Sequence, residues 1–369
     1  MSRKNEGGID PQEETEKVLL RHAARYPRMQ PQDAVKLLYQ SEFGAGHLLS
    51  NPAESLLRLR QESQAMAGQP GTAPLFEEIG GGFCRLNLQP AGAEEAVVPA
   101  IHRIFAAGAK QPCGTTQGLE AKLLLLQQLT QRGGMPFSAA QLADYLETYR
   151  RQGLPMVSHS KEYHAAYHPA YRVVPGAYAQ SFALISAIED RLSQNLPLTL
   201  AIDGLCGSGK TTFATLLAGL YDCNIIEMDH FFLPAEKRTP QRLAQPGGNI
   251  DYERFKQQVA RHLGSGRPFS YQVFDCGVMN LVGTRQVQSK ALTICEGSYS
   301  HHPHFGQPYN LKVFMTCAEE VQKKRLMERA GAELYKRFID EWIPLEQAYF
   351  TACRIKEKSH FVLDTTSQY

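Results

Sequence analysis

The sequence predicts an α/β domain, a parallel sheet covered by helices, preceded by a mainly α-helical domain. Three observations carry this. Up to about Asn195 the apolar residues recur at spacings of three and four; beyond it, short and nearly continuous apolar runs alternate with helical stretches; and the first of those runs breaks into a glycine-rich turn, "LTLAIDGLCGSGKTT". Apolar strands without polar alternation, separated by helices, are the mark of a parallel sheet buried on both faces.

Helical spacing is clear in "DAVKLLYQ", "ESLLRLRQ", "LEAKLLLLQQLT" and "AQLADYLETY", while only "GFCRLNL" alternates like a strand. Turns such as "GQPGTAP", "KQPCG" and "QRGGMP" separate these segments. In the second half the candidate strands are "LTLAID", "NIIEM", "ALTICEG", "LKVFMTC" and "HFVLDT", with helices near 209–220, 251–263, 318–330 and 334–351. The domains divide near residue 175, into 1–175 and 176–369.

Composition excludes several classes. The 369 residues carry a formal charge of +2, and the longest basic block is "KKR", so nucleic acid is not expected as a partner. No apolar run approaches the roughly 18 residues needed to cross a bilayer, and the charged start "MSRKNEGGID" lacks a signal-peptide centre. No membrane association and a cytoplasmic location are the expectation. The eight cysteines are scattered singly without zinc-like spacing, which reads as reduced thiols; Cys206 alone lies in a suggestive place, the glycine turn.

Gly204 to Thr211, "GLCGSGKT", fits the phosphate-binding pattern G-x-x-x-x-G-K-[ST]. In such a turn Gly204, Gly207, Ser208 and Gly209 let backbone N–H groups converge on an anion at a helix N-terminus. Lys210 would reach the β- and γ-phosphates of ATP, Thr211 would ligate Mg²⁺, and Thr212 follows in the same first turn. Two carboxylates end neighbouring candidate strands, Asp229 after "NIIEM" and Glu296 in "ALTICEG". Both fall at the carboxyl edge of a parallel sheet, where ligands bind in such folds. One can hold or orient the metal and the other can take a proton from an attacking hydroxyl. There is no N-K-x-D guanine-reading motif, and small-molecule phosphorylation is the leading reading.

From about 195 to 369 the chain resembles the uridine kinase-like branch of the P-loop kinases, because "GLCGSGKTT", "MDHFFL", "GGNIDYERF", "PFSYQVFDC", "ICEGSY" and "VQKKRLMERAG" occur in the family's order. The resemblance implies ATP and Mg²⁺ as cofactors and a nucleoside or similar small alcohol as acceptor. It implies Asp229 as base toward the acceptor hydroxyl, Glu296 as metal support, Asp251 and Tyr271 as acceptor contacts, and Arg325 and Arg329 as a phosphate clamp on a lid helix. The chain departs from the pattern at Ala330, where an acid usually follows the last lid arginine, and in "RFIDEWIPLEQAYF". The histidine and arginine expected to read uracil after Tyr271 are not recognisable, so uridine is not implied as the acceptor.

Residues 1–175 resemble no characterised family. Their oddest stretch, "SHSKEYHAAYHPAYRVV", interleaves His159, His164 and His168 with Tyr163, Tyr167 and Tyr171. An aromatic stripe with hydrogen-bonded histidines is the leading expectation; an anion or metal site is the alternative, and His47 in "QSEFGAGHLLSNP" is ambiguous in the same way. This domain is expected to supply acceptor specificity, regulation, separate chemistry or the contacts of a homo-oligomer. Trp342, the single tryptophan, is expected in the core.

Overall fold

A computed structural model of the chain describes residues 10–45, 51–66, 73–91, 97–110 and 114–367. Two compact units divide between Ser186 and Ala187, inside the helix Phe182–Ser193. His47 lies outside the described residues.

In the N-terminal unit, helices including Pro11–Arg25, Pro31–Phe43, Pro52–Met66, Val97–Ala109, Thr116–Gln131 and Ala139–Arg151 pack around an antiparallel sheet. Helix starts follow local chemistry: Ser138 and Gln141 form a reciprocal capping box, and Thr115 accepts from the Gly118 amide. The sheet is ordered β1 (Phe76–Gly80), β2 (Phe83–Asn87), β3 (Tyr171–Pro175). The alternating segment is thus the central strand, buried at every position. Its two partners were not apparent from the sequence pattern. The histidine-rich stretch is helical over Lys161–Tyr167, and His168 leaves it in the left-handed conformation, φ 43°, so His164 and His168 do not share a helix face.

The second unit is built on five parallel strands: β4 (Leu198–Gly204), β5 (Cys223–Glu227), β8 (Leu292–Glu296), β9 (Leu311–Thr316) and β10 (Phe361–Asp364). The hairpin of β6 (Phe269–Asp275) and β7 (Asn280–Val287) stands apart as a two-stranded sheet. The order β10-β9-β4-β8-β5 puts the first strand in the middle, flanked by strands that arrive later in the chain. The glycine turn leaves the sheet at the point where strand order reverses, which is where parallel sheets open a ligand crevice. β4 is buried along its whole length, as expected of an uninterrupted apolar strand. Ile226 and Phe314 of the sheet share one core with Phe231, Phe255 and Tyr349 beyond it. Each such side chain contributes about 1.5–3 kcal/mol on burial.

On the lid side the break expected between 330 and 334 is present and the placement of Trp342 changes. The helix from Glu319 breaks at Gly331, φ 73° and ψ 173°, so the arginine-bearing segment ends where "RAG" places a glycine. Trp342 is half-buried rather than in the core, edge-on to Phe338 with Arg337 over its ring at 5.0 Å. Among the described residues, no helix is long and apolar enough to cross a membrane.

Candidate active site

The glycine turn joins β4 to the helix Lys210–Ala218, which buries Phe213, Ala214 and Leu217 against the sheet. Gly204 has φ 140°, and a Cβ there would lie 2.1 Å from the Met315 carbonyl oxygen, so no other residue fits between the loop and β9. Gly209 takes φ 88° immediately before the helix and starts its first turn from the left-handed region. The loop is therefore shaped by backbone conformations that side chains resist.

Lys210 is nearly buried and folds back on the loop, its ammonium donating to the Gly204 and Leu205 carbonyls at 2.7 and 2.9 Å. The Ser208 hydroxyl is buried without a partner. A cation held on loop carbonyls, an orphaned hydroxyl and a backbone cradle fit a bound polyphosphate. Thr212 follows on the same first helical turn, exposed.

One residue further, the Thr211 hydroxyl donates to Glu296 Oε1 at 3.0 Å. Glu296 ends β8, where it pairs in register with Ile202 of β4 and Glu227 of β5. Burial pushes its carboxyl up to about 7 against the Thr211 hydrogen bond and the Lys210 charge, and the negative charges of Asp229 and Glu227 add to the rise. A hydroxyl paired with a crowded carboxylate fits a hard divalent cation, which would relieve that crowding. Asp229 sits in the 3₁₀ turn after β5 with its side chain exposed. The sheet edge thus brings together Lys210, Thr211, Glu296 and Asp229.

The other expected residues are placed differently. Asp251 is buried, caps the Arg254 amide at 3.2 Å and meets Lys237 at 3.1 Å and Arg254 Nε at 3.4 Å. Tyr271 is buried on β6, its hydroxyl 3.1 Å from His230 Nδ1 and its ring against Phe231. Arg325 reaches Gly207 O at 3.3 Å and Thr365 through Oγ1 and the carbonyl at 3.0 and 2.8 Å, which ties the helix from Glu319 to the loop. Arg329, one turn on, is exposed. Burial and then the Glu346 charge hold the Cys206 thiol far above its ordinary range, the reverse of a reactive cysteine.

Two acidic residues escaped the sequence reading. Asp203, fully buried at the end of β4, accepts from the Gly204, Tyr299 and His301 amides at 2.8, 3.1 and 3.0 Å and from the Tyr349 hydroxyl at 2.9 Å. Glu346 accepts from the Cys206 amide at 2.9 Å and from Ser298 Oγ. Both brace the loop from behind. Asp203 stood in the quoted "AIDG", but a strand-end acid carries no signal of four donors waiting in distant segments.

No family model and no curated protein matches the chain. Among solved structures, a protein described as a possible uridine kinase from Bacillus stearothermophilus is 18% identical, over 48% of this chain and 100% of its own, with a TM-score of 0.36. D-glycerate 3-kinase from Cryptococcus neoformans is 14% identical over 51% of this chain and 94% of its own, with a TM-score of 0.38. The C-terminal half of the chain resembles uridine kinase-like and related P-loop kinases.

Proposed function

We propose that the chain is an ATP- and Mg²⁺-dependent kinase that transfers the γ-phosphoryl group to a hydroxyl of a nucleoside or a similar small metabolite, acting in the cytoplasm. The observation that carries this reading is the exposed Asp229 carboxylate at the same sheet edge as Lys210 and the Thr211–Glu296 pair, near enough for its charge to raise the Glu296 carboxyl. A nucleotide-binding loop alone needs no proton acceptor beside it; phosphoryl transfer to an alcohol does.

In this reading the loop amides and Lys210 hold the β- and γ-phosphates, and Thr211 and Glu296 hold the metal. Bound Mg²⁺ supplies neutralisation of charge on the phosphate oxygens. Asp229 orients the acceptor hydroxyl and takes its proton as that oxygen bonds the γ-phosphorus and the bond to the β–γ bridging oxygen breaks, releasing ADP. Arg325 and Arg329 add positive charge from the lid helix, which favours the charge-dispersed transition state. Asp251 and Tyr271 are already engaged within the protein, so their support for acceptor binding is the shape of the turn and hairpin that carry them.

A metabolite library incubated with the protein and γ-labelled ATP tests this. The reading expects label on one hydroxyl compound, dependent on Mg²⁺. ATP binding without any labelled acceptor would contradict it and favour a nucleotide-sensing role.

A further inference from the structure

The N-terminal unit contains a cavity of about 440 Å³, lined wholly by residues of that unit. A volume of this order suits a small metabolite. Its wall includes Lys36, Gln40, His159, Tyr171 and Arg172.

One end of the cavity has its protons fixed. Asp33 is fully buried and accepts from the Gln30 and Ser160 amides at 3.0 and 2.9 Å, from the Ser160 hydroxyl at 2.6 Å and from His159 Nδ1 at 2.8 Å. Four donors keep the carboxylate ionised, so Nδ1 carries the imidazole proton. Burial holds His159 down at about 4, against the Asp33 hydrogen bond, which leaves Nε2 a neutral acceptor. The Tyr171 hydroxyl, 2.7 Å away, therefore donates its one proton to Nε2. Gln40 holds Oε1 at Arg85 Nε and Nη2, 3.1 and 2.9 Å, and stands with Nε2 at 3.2 Å and Oε1 at 3.3 Å from the Tyr171 oxygen; with the Tyr171 proton on His159, Nε2 is the group that donates to that oxygen. The Tyr171 oxygen retains capacity to accept, and no proton left to give.

The same lining also carries cationic side chains. Arg58 and Arg172 line the cavity but are matched by Glu54 and Glu62. Lys36 is not matched: it donates to the Val157 carbonyl at 2.9 Å, and among the described residues no carboxylate lies within ion-pair distance of it. Burial, and then the Arg85 charge, push its amine down to about 8 against the pull of Asp33. A partly desolvated ammonium without an ion-pair partner at contact distance is costly, and an anion in the cavity lowers that cost.

We propose that this cavity is a second ligand site, in a different unit from the nucleotide loop, for a small hydroxylated organic anion whose phosphate or carboxylate meets Lys36 and whose hydroxyl donates to the Tyr171 oxygen. The chemistry explains why a fully buried Asp33 and a neutral His159 stand behind one tyrosine: Asp33 fixes the imidazole tautomer and Nε2 accepts the hydroxyl's hydrogen bond, so that only a donor can meet the tyrosine oxygen from the cavity.

Site-resolved amine labelling of the full chain tests the proposal. Lys36 acetylation at pH 8 is followed by peptide mass spectrometry, alone and with glycerol 3-phosphate or tartrate, with sodium chloride at matched ionic strength as the control. Either anion should slow Lys36 labelling by about tenfold while the exposed Lys17 changes little, a difference of about 1.4 kcal/mol. Protection by glycerol 3-phosphate alone identifies a phosphate site, and by tartrate alone a carboxylate site. Tyr171→Phe should weaken protection by the effective anion roughly three- to tenfold, as expected for one hydrogen bond, and leave protection by methyl phosphate unchanged. Equal Lys36 rates with and without both anions, or equal protection by sodium chloride, overturn the site. If Tyr171→Phe does not fold, wild-type protein protected equally by glycerol 3-phosphate and methyl phosphate overturns the hydroxyl contact.

Discussion

The Thr211 hydroxyl and the Glu296 carboxylate meet at 3.0 Å, joining the first turn of the loop helix to the end of β8. The contact places the hydroxyl that follows the loop lysine against a carboxyl that burial pushes up to about 7. A cation between them would favour the ionised form and strengthen with it. Glu296→Gln keeps the shape and removes the charge. It should lower metal-activated turnover by about 10–100-fold, the usual cost of disturbing a metal's supporting groups, and raise the Mg²⁺ needed for half-activation. An unchanged Mg²⁺ titration would contradict the assignment.

Lys210 is expected to exchange its two carbonyl contacts for phosphate. Lys210→Ala should weaken ATP binding by at least about tenfold, because charge-assisted hydrogen bonds contribute about 1.5–3 kcal/mol. The fold should survive, since the substitution removes donors whose acceptors face the loop. Calorimetric titration of ATP, beside a melting curve, checks both statements.

Asp203 makes a different prediction, about stability rather than binding. Asp203→Asn puts an amide where four donors converge, so at least one donor faces another. Leaving buried groups unsatisfied costs about 1–3 kcal/mol each. The C-terminal unit should lose at least that in denaturant unfolding, and Trp342, the chain's single tryptophan, provides the fluorescence signal for this unit. A midpoint shift smaller than the error of the titration would show that the hub is dispensable.

The N-terminal unit should lose stability in mild acid. His159 is held near 4 in the folded state by burial, against an ordinary value of 6.5. Between these values the unfolded chain binds the proton and the folded one does not. The stability from this group is therefore complete above pH 6.5 and is lost as pH falls toward 4. From pH 8 to 5 the loss is about 2 kcal/mol. His22, lowered to about 3 mainly by burial, acts in the same direction. Hydrogen exchange of peptides in residues 10–186, measured at both pH values for the wild type and His159→Gln, resolves the histidine's share: the variant should show the shallower pH dependence.

Much of the sheet was legible because β4, β8 and β9 are buried on both faces and so read as plain apolar runs. The hairpin was not: β7 is exposed along nearly its whole length and shows no apolar alternation. In the N-terminal unit β3 pairs with β2 across more than eighty intervening residues, and five-residue strands leave little pattern. The loop residues were legible because glycine conformation and phosphate chemistry are local. Asp33 and His159 were not linked by any local signal; they stand 126 positions apart in sequence and meet at 2.8 Å. Asp251 shows the complementary gap, since a motif gives a residue's place but not that Lys237 and Arg254 will occupy its carboxylate.

The central claim is that Asp229 takes the proton of an acceptor hydroxyl. Its most direct measurement is acceptor phosphorylation by wild type and Asp229→Asn, with ATP affinity and melting temperature determined on the same samples. Asn preserves size and one oxygen but removes the charge and the basicity. ATP affinity and melting temperature should stay close to wild type while transfer slows by at least about a hundredfold, within the range general-base catalysis contributes. Transfer by the variant within a few fold of wild type, or a variant whose only change is a loss of stability of about 1 kcal/mol, the size of a lost helix cap, would contradict it.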